Sequence, residues 1–122
     1  MRSSKIAALV LIVGAISVSL ARAASDCPTS ATVSDWGENS TGYFNVASGG
    51  SCVFPIRMAG AVSSSEISQK PAHGKLKKLN ISTYEYTAKA RYKGSDTFAI
   101  KATGKGPTAS GTSVINMHAT IQ

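Results

Sequence analysis

Pro71-Ala-His-Gly74, Tyr84-Glu-Tyr86 and Tyr92-Lys-Gly-Ser-Asp-Thr-Phe98 follow one another closely in this chain, and together they constrain its fold more than any other feature. Pro71 sets its own φ, Gly74 and Gly94 accept backbone angles that a side chain opposes, and Asp96 can bond a neighbouring amide. The stretch reads as short strands separated by fixed corners. It specifies a fold and names no reaction.

The rest of the chain has the same grain. Period-two alternation recurs between clusters of Gly, Pro, Ser and Asn, with no helical periodicity of useful length after residue 23. Residues 51–58 are the clearest case, with Cys52, Phe54, Ile56 and Met58 on one face and Ser51, Val53, Pro55 and Arg57 on the other. Pro55 cannot donate to a ladder, so this strand is expected at an edge or at a bulge. Residues 43–47, 62–69, 75–79, 83–87, 96–103 and 112–121 are the other predicted strands. Ser48-Gly-Gly50 is expected to be a hairpin turn into the Cys52 strand, and Gly104-Lys-Gly-Pro107 another hairpin. Trp36, the single tryptophan, is expected to seal one end of the core. About seven short strands with turns every eight to twelve residues indicate an all-β chain forming a β-sandwich.

Residues 1–23 have the layout of a secretory signal: Arg2 and Lys5, an apolar run from Ile6 to Leu20, then Ala21-Arg22-Ala23. That run is shorter than the roughly 20 helical residues a bilayer needs, so cleavage is expected and no transmembrane segment afterwards. Residues 24–122 are of a length suited to one domain. An exported product, secreted or periplasmic, meets an oxidising compartment, so Cys27 and Cys52 are expected to pair.

The corner motifs, with the Val/Ile-rich stretch 111–121, resemble the pattern of bacterial immunoglobulin-like, cadherin-like domains of secreted and surface proteins. The resemblance covers about residues 67–121. It implies an immunoglobulin-like sandwich in which Pro71, His73, Gly74, Tyr92, Gly94, Asp96 and Phe98 are corner residues, and a binding or structural role in the cell envelope or outside the cell. Calcium-dependent relatives carry acidic clusters between tandem repeats. Here Asp35, Glu38, Glu85 and Asp96 are scattered, and calcium needs six to eight oxygens, so no structural calcium is expected.

Charge is uneven. Residues 24–69 carry one base, Arg57, against Asp26, Asp35, Glu38 and Glu66, whereas residues 70–122 carry eight lysines and Arg91 against Glu85 and Asp96. Such a field favours anionic partners such as envelope polymers or lipid head groups; no specific nucleic acid is expected. In an extended segment Lys89, Arg91 and Lys93 alternate onto one side, as do Lys75 and Lys77, and adjoining rows would form an anionic-ligand patch. Tyr84, Tyr86 and Tyr92 lie between them. They are either a stacking platform for sugars or bases, or core and corner residues beside lysines that discourage edge pairing.

For chemistry the chain offers little. Its histidines are His73 and His118, with no Gly-x-Ser-x-Gly elbow, no Cys-x-x-Cys, no His-Glu-x-x-His run and no phosphate loop leading into a helix. No enzymatic activity, cofactor or metal is therefore expected. Two further roles fit the same features: a fibre subunit assembled by strand exchange, and a cationic effector or inhibitor docking on an anionic partner.

Overall fold

The protein is described here by a computed structural model covering residues 25–31 and 34–122. The predicted signal at residues 1–23 lies outside the described residues. Every regular element is a β-strand: β1 (Ser25–Asp26), β2 (Thr29–Ala31), β3 (Ser40–Val46), β4 (Ser51–Pro55), β5 (Ala61–Gln69), β6 (Gly74–Asn80), β7 (Thr83–Ala88), β8 (Gly94–Lys105) and β9 (Ser110–Ile121). They form two sheets, one ordered β1-β4-β7-β6 and the other β2-β3-β9-β8-β5. Among the described residues no helix is long and apolar enough to cross a membrane.

Alternation decides what each strand buries. Phe44 and Val46 of β3, Phe98 and Ile100 of β8, and Met117, Ala119 and Ile121 of β9 form one cluster with Cys52 and Phe54 of β4 and Tyr84 and Tyr86 of β7. The rings interlock across the sandwich, Phe44 lying 4.5 Å from Phe54 and Phe98 stacking on Tyr86 at 5.2 Å between centroids. Such pairs add about 0.5–1.5 kcal/mol each beyond the area they bury. Trp36 is buried apart from this cluster and donates its indole N–H to the Ala59 carbonyl at 2.7 Å, closing one end of the molecule.

Three expectations are revised. The Ser48-Gly-Gly50 turn is an arch between sheets and no hairpin, because β3 and β4 belong to different layers. Its geometry is set by a bond from the Gly50 amide to the Ala47 carbonyl at 2.8 Å and by a positive φ at Gly49. The strand expected over residues 51–58 ends at Pro55. There β7 still pairs on one side (Pro55 with Thr83), while β1 on the other side reaches only Cys52 and Val53; Pro55 thus sits where no donor is needed on the open side. Among the described residues the count rises to nine strands, because β1 and β2 are too short to show alternation.

Those two short strands place the disulfide. The chain pairs with β4 at Ser25–Asp26, then with β3 at Thr29–Ala31, so it changes sheets at Cys27 and Pro28. Cys27 is bonded to the fully buried Cys52, with their Cα atoms 5.4 Å apart, within the ordinary range. The bond therefore pins the chain at the point where it crosses from one layer to the other.

Candidate functional site

Asp96 is the organising residue of the corner motifs. It is buried, and each carboxylate oxygen accepts two hydrogen bonds: Oδ1 from the amides of Ala72 and Thr97, both at 2.9 Å, and Oδ2 from the amide of His73 at 3.1 Å and the Tyr86 hydroxyl at 2.7 Å. Asp96 opens β8 in one sheet, Tyr86 lies on β7 in the other, and Ala72 and His73 form the corner that carries the chain between them. One carboxylate thus bolts both layers and a crossover together. A buried charge needs such a donor set to offset its lost hydration.

Around this bolt the other motif residues pack. His73 stacks on Tyr92 with ring centroids 3.9 Å apart, Tyr92 donates its hydroxyl to the Ser95 carbonyl at 3.0 Å, and the Lys89 amide donates to the His73 carbonyl at 2.9 Å. Gly94 has a φ of 145°, which a side chain resists. Gly74 is required for a different reason from the one expected: an added Cβ would lie 2.6 Å from the Thr87 carbonyl oxygen and 2.7 Å from the Tyr86 ring. Pro71 begins the corner, and Phe98 is in the core.

Burial, then the hydrogen bond to Asp96 and the charge of that carboxylate, push the Tyr86 hydroxyl well above the ordinary phenol range. The folded state therefore holds this proton more tightly than the unfolded chain does. Its stabilisation is complete below about pH 10, the ordinary tyrosine value, and is lost as pH rises above it. Urea midpoints measured from neutral to strongly alkaline pH are expected to fall more steeply for the wild type than for Tyr86→Phe. Parallel profiles would contradict this.

The predicted basic patch is only partly assembled as expected. Lys75 and Lys77 point outward from β6, an edge strand, and pair in register with Thr87 and Glu85. Lys89 lies just past the end of β7, where its amide bonds the His73 carbonyl. Residues 89–93, however, are no extended row. The Tyr92 amide reaches back to the Lys89 carbonyl, and Arg91 has a φ of 68°. The chain doubles back because Tyr92 is anchored under His73, so Arg91 and Lys93 project from a turn beside the corner. Tyr84 and Tyr86 are fully buried and offer no stacking face, leaving the core reading.

Sequence reasoning passed over three residues at the far end of β6. Leu79 and Ile81 are exposed at the β6–β7 turn, and Lys78 turns toward the neighbouring sheet, donating to the Ser65 carbonyl at 2.7 Å. Parity along β6 does not reach Leu79, because the β6–β7 register shifts between Lys78 and Asn80. Near the other end of the strand, Ile67, Pro71 and Leu76 line a shallow hollow of about 300 Å³ bordered by Lys70 and Lys75. His118 lies on the outward face of β9 and stacks on Tyr43 at 4.9 Å. Among the described residues no three of His, Cys, Asp or Glu converge as a metal site.

No protein-family model and no curated protein matches this chain. Among solved structures, it is similar to an endo-fucoidan hydrolase from glycoside hydrolase family 107, at 11% identity and a TM-score of 0.37 over 69% of this chain. The chain spans 12% of that protein's length. A likeness of this extent carries no argument about activity.

Proposed function

We propose that the chain is an exported, non-enzymatic binding module with an immunoglobulin-like fold, and that it meets an anionic partner of the cell envelope or exterior through its basic second half. The strand order supports the fold reading: β1-β4-β7-β6 corresponds to the A-B-E-D layer of such domains, and β5, β8 and β9 to the C-F-G layer. The departures are that β1 runs parallel to β4, and that β2 and β3 extend the second layer, with β3 parallel to β9. The disulfide is compatible with an oxidising compartment. A self-contained module is favoured over strand exchange because β9 is paired along its length by β8 and over seven residues by β3.

The observation that carries the binding reading is the exposure of Lys75 and Lys77 along the β6 edge, with Lys89 just past the end of β7 and Arg91 and Lys93 on the adjoining turn. The motif residues beside them are engaged in holding the sheets together, which leaves the cations as the outward-facing groups. Retention on an immobilised anionic polysaccharide across a salt series tests it: electrostatic binding weakens as the Debye length shrinks from about 10 Å at 0.1 M to 3 Å at 1 M. Retention that ignores salt, or survives Lys75→Gln with Lys77→Gln, would overturn the reading. A hydrolytic activity abolished by His73→Ala or His118→Ala would overturn the non-enzymatic part.

A further inference from the structure

We infer that the anionic partner is a lipid surface, on which the β6 edge lies with its lysines among phosphate head groups and Leu79 and Ile81 inserted beneath them. This rests on the anionic-partner reading above and goes beyond it in naming the partner's chemistry.

Among the described residues three large apolar side chains stand in solvent: Tyr43, Leu79 at 44% and Ile81 at 43%. Tyr43 is partnered by His118. Leu79 and Ile81 are two residues apart at one hairpin tip, at the end of the strand that exposes Lys75 and Lys77 and just past the register shift after Lys78. The cations and the aliphatic pair thus succeed one another along the β6 edge, with Glu85 in register beside Lys77. A band that passes from cations to aliphatic groups matches the section of an anionic bilayer, where head-group charge overlies acyl chain. A soluble polyanion would reward the lysines alone.

The tip is also held ready. Asn80 Oδ1 accepts the Ser82 amide at 2.9 Å, fixing the turn. Ser65 braces it from the other sheet, donating its hydroxyl to the Ile81 carbonyl and accepting Lys78 Nζ on its own carbonyl. The two aliphatic side chains are thus presented on a fixed turn, and little ordering is needed on docking.

Co-flotation of the exported chain with vesicles tests the inference, using pure phosphatidylcholine and phosphatidylcholine with a third phosphatidylglycerol. Binding is expected only to the anionic vesicles, and to weaken with salt. Lys75→Gln with Lys77→Gln is expected to weaken it about thirtyfold, at roughly fivefold per lysine near such a surface. Leu79→Ser with Ile81→Ser is expected to weaken it at least about tenfold, the effect of about two buried methylenes out of the six carbons removed, while retention on anionic polysaccharide stays unchanged. Both pairs are exposed, and unaltered circular dichroism confirms folding. Lys101→Gln, on the outward face of the other sheet, should bind as wild type. Equal binding to both vesicles, or a Leu79/Ile81 variant that binds as tightly as wild type, would overturn the lipid assignment. Salt-sensitive retention on polysaccharide without vesicle binding would overturn it too, leaving the anionic-partner reading standing; loss of both would remove both.

Discussion

Asp96→Ala is expected to lower the unfolding free energy by about 3–5 kcal/mol, a large share of what a domain of this size commands. The substitution removes an acceptor from four donors at once: the amides of Ala72, His73 and Thr97 and the Tyr86 hydroxyl. Tyr86 is fully buried, so its hydroxyl has no water to turn to, and each donor left without a partner costs about 1–3 kcal/mol. The damage should spread along the corner, because His73 is positioned by its amide bond to Asp96 and in turn stacks on Tyr92. Asp96→Asn keeps the volume and one acceptor oxygen but turns an amide toward two of the donors, so an intermediate loss is expected. Urea unfolding of the three proteins checks the order. A loss below about 1 kcal/mol for Asp96→Ala would mean the carboxylate is not the bolt described here.

Reduction of the Cys27–Cys52 bond is the second large effect. The bond closes a loop with a sequence separation of 25, for which chain entropy gives about 3.5 kcal/mol of stabilisation. Position adds to length. The bond holds the chain where it passes between sheets, and the flanking strands, β1 with two residues and β2 with three, have few ladder bonds of their own. Reduced protein should therefore lose the protection of residues 25–31 in hydrogen exchange before the rest of the sandwich opens. Unfolding with and without reductant measures the size, and amide exchange the place. Equal midpoints in the two conditions would contradict the assignment of this bond as a principal staple.

How much of this was legible beforehand depends on what each residue needed to declare itself. The long strands did so by alternation: Phe98, Ile100 and Ala102, or Met117, Ala119 and Ile121, bury one face, although Ala99 between the first two is buried as well and shows that β8 is covered on both sides there. The corner motifs were readable as corners because proline and glycine restrict or free the backbone locally. Their purpose was less so. That Gly74 gives way to the Tyr86 ring, and that Asp96 serves two amides of a distant corner, are facts of tertiary approach that no window of sequence contains. Residues 89–93 misled for a similar reason. Lys-Ala-Arg-Tyr-Lys alternates well enough to suggest an extended row, but the anchoring of Tyr92 beneath His73 forces a reversal. In the basic band, Lys75 and Lys77 were identified from parity alone. Leu79 and Ile81 do not declare themselves, because an aliphatic residue in or beside a short strand is ordinarily assigned to the core, and it is the register shift after Lys78 and the turn at Ile81 and Ser82 that leave them exposed.

The motif residues form a mechanical link between two layers, with Tyr86 and Asp96 at its centre. A double-mutant cycle on Tyr86→Phe and Asp96→Asn, read by equilibrium urea unfolding, addresses this directly. Groups that share one hydrogen bond are expected to couple by about 0.5–3 kcal/mol, so the double variant should be more stable than the sum of the single losses implies. Losses that add to within about 0.3 kcal/mol would show that the two residues act separately, and that the sheets are held together by something else.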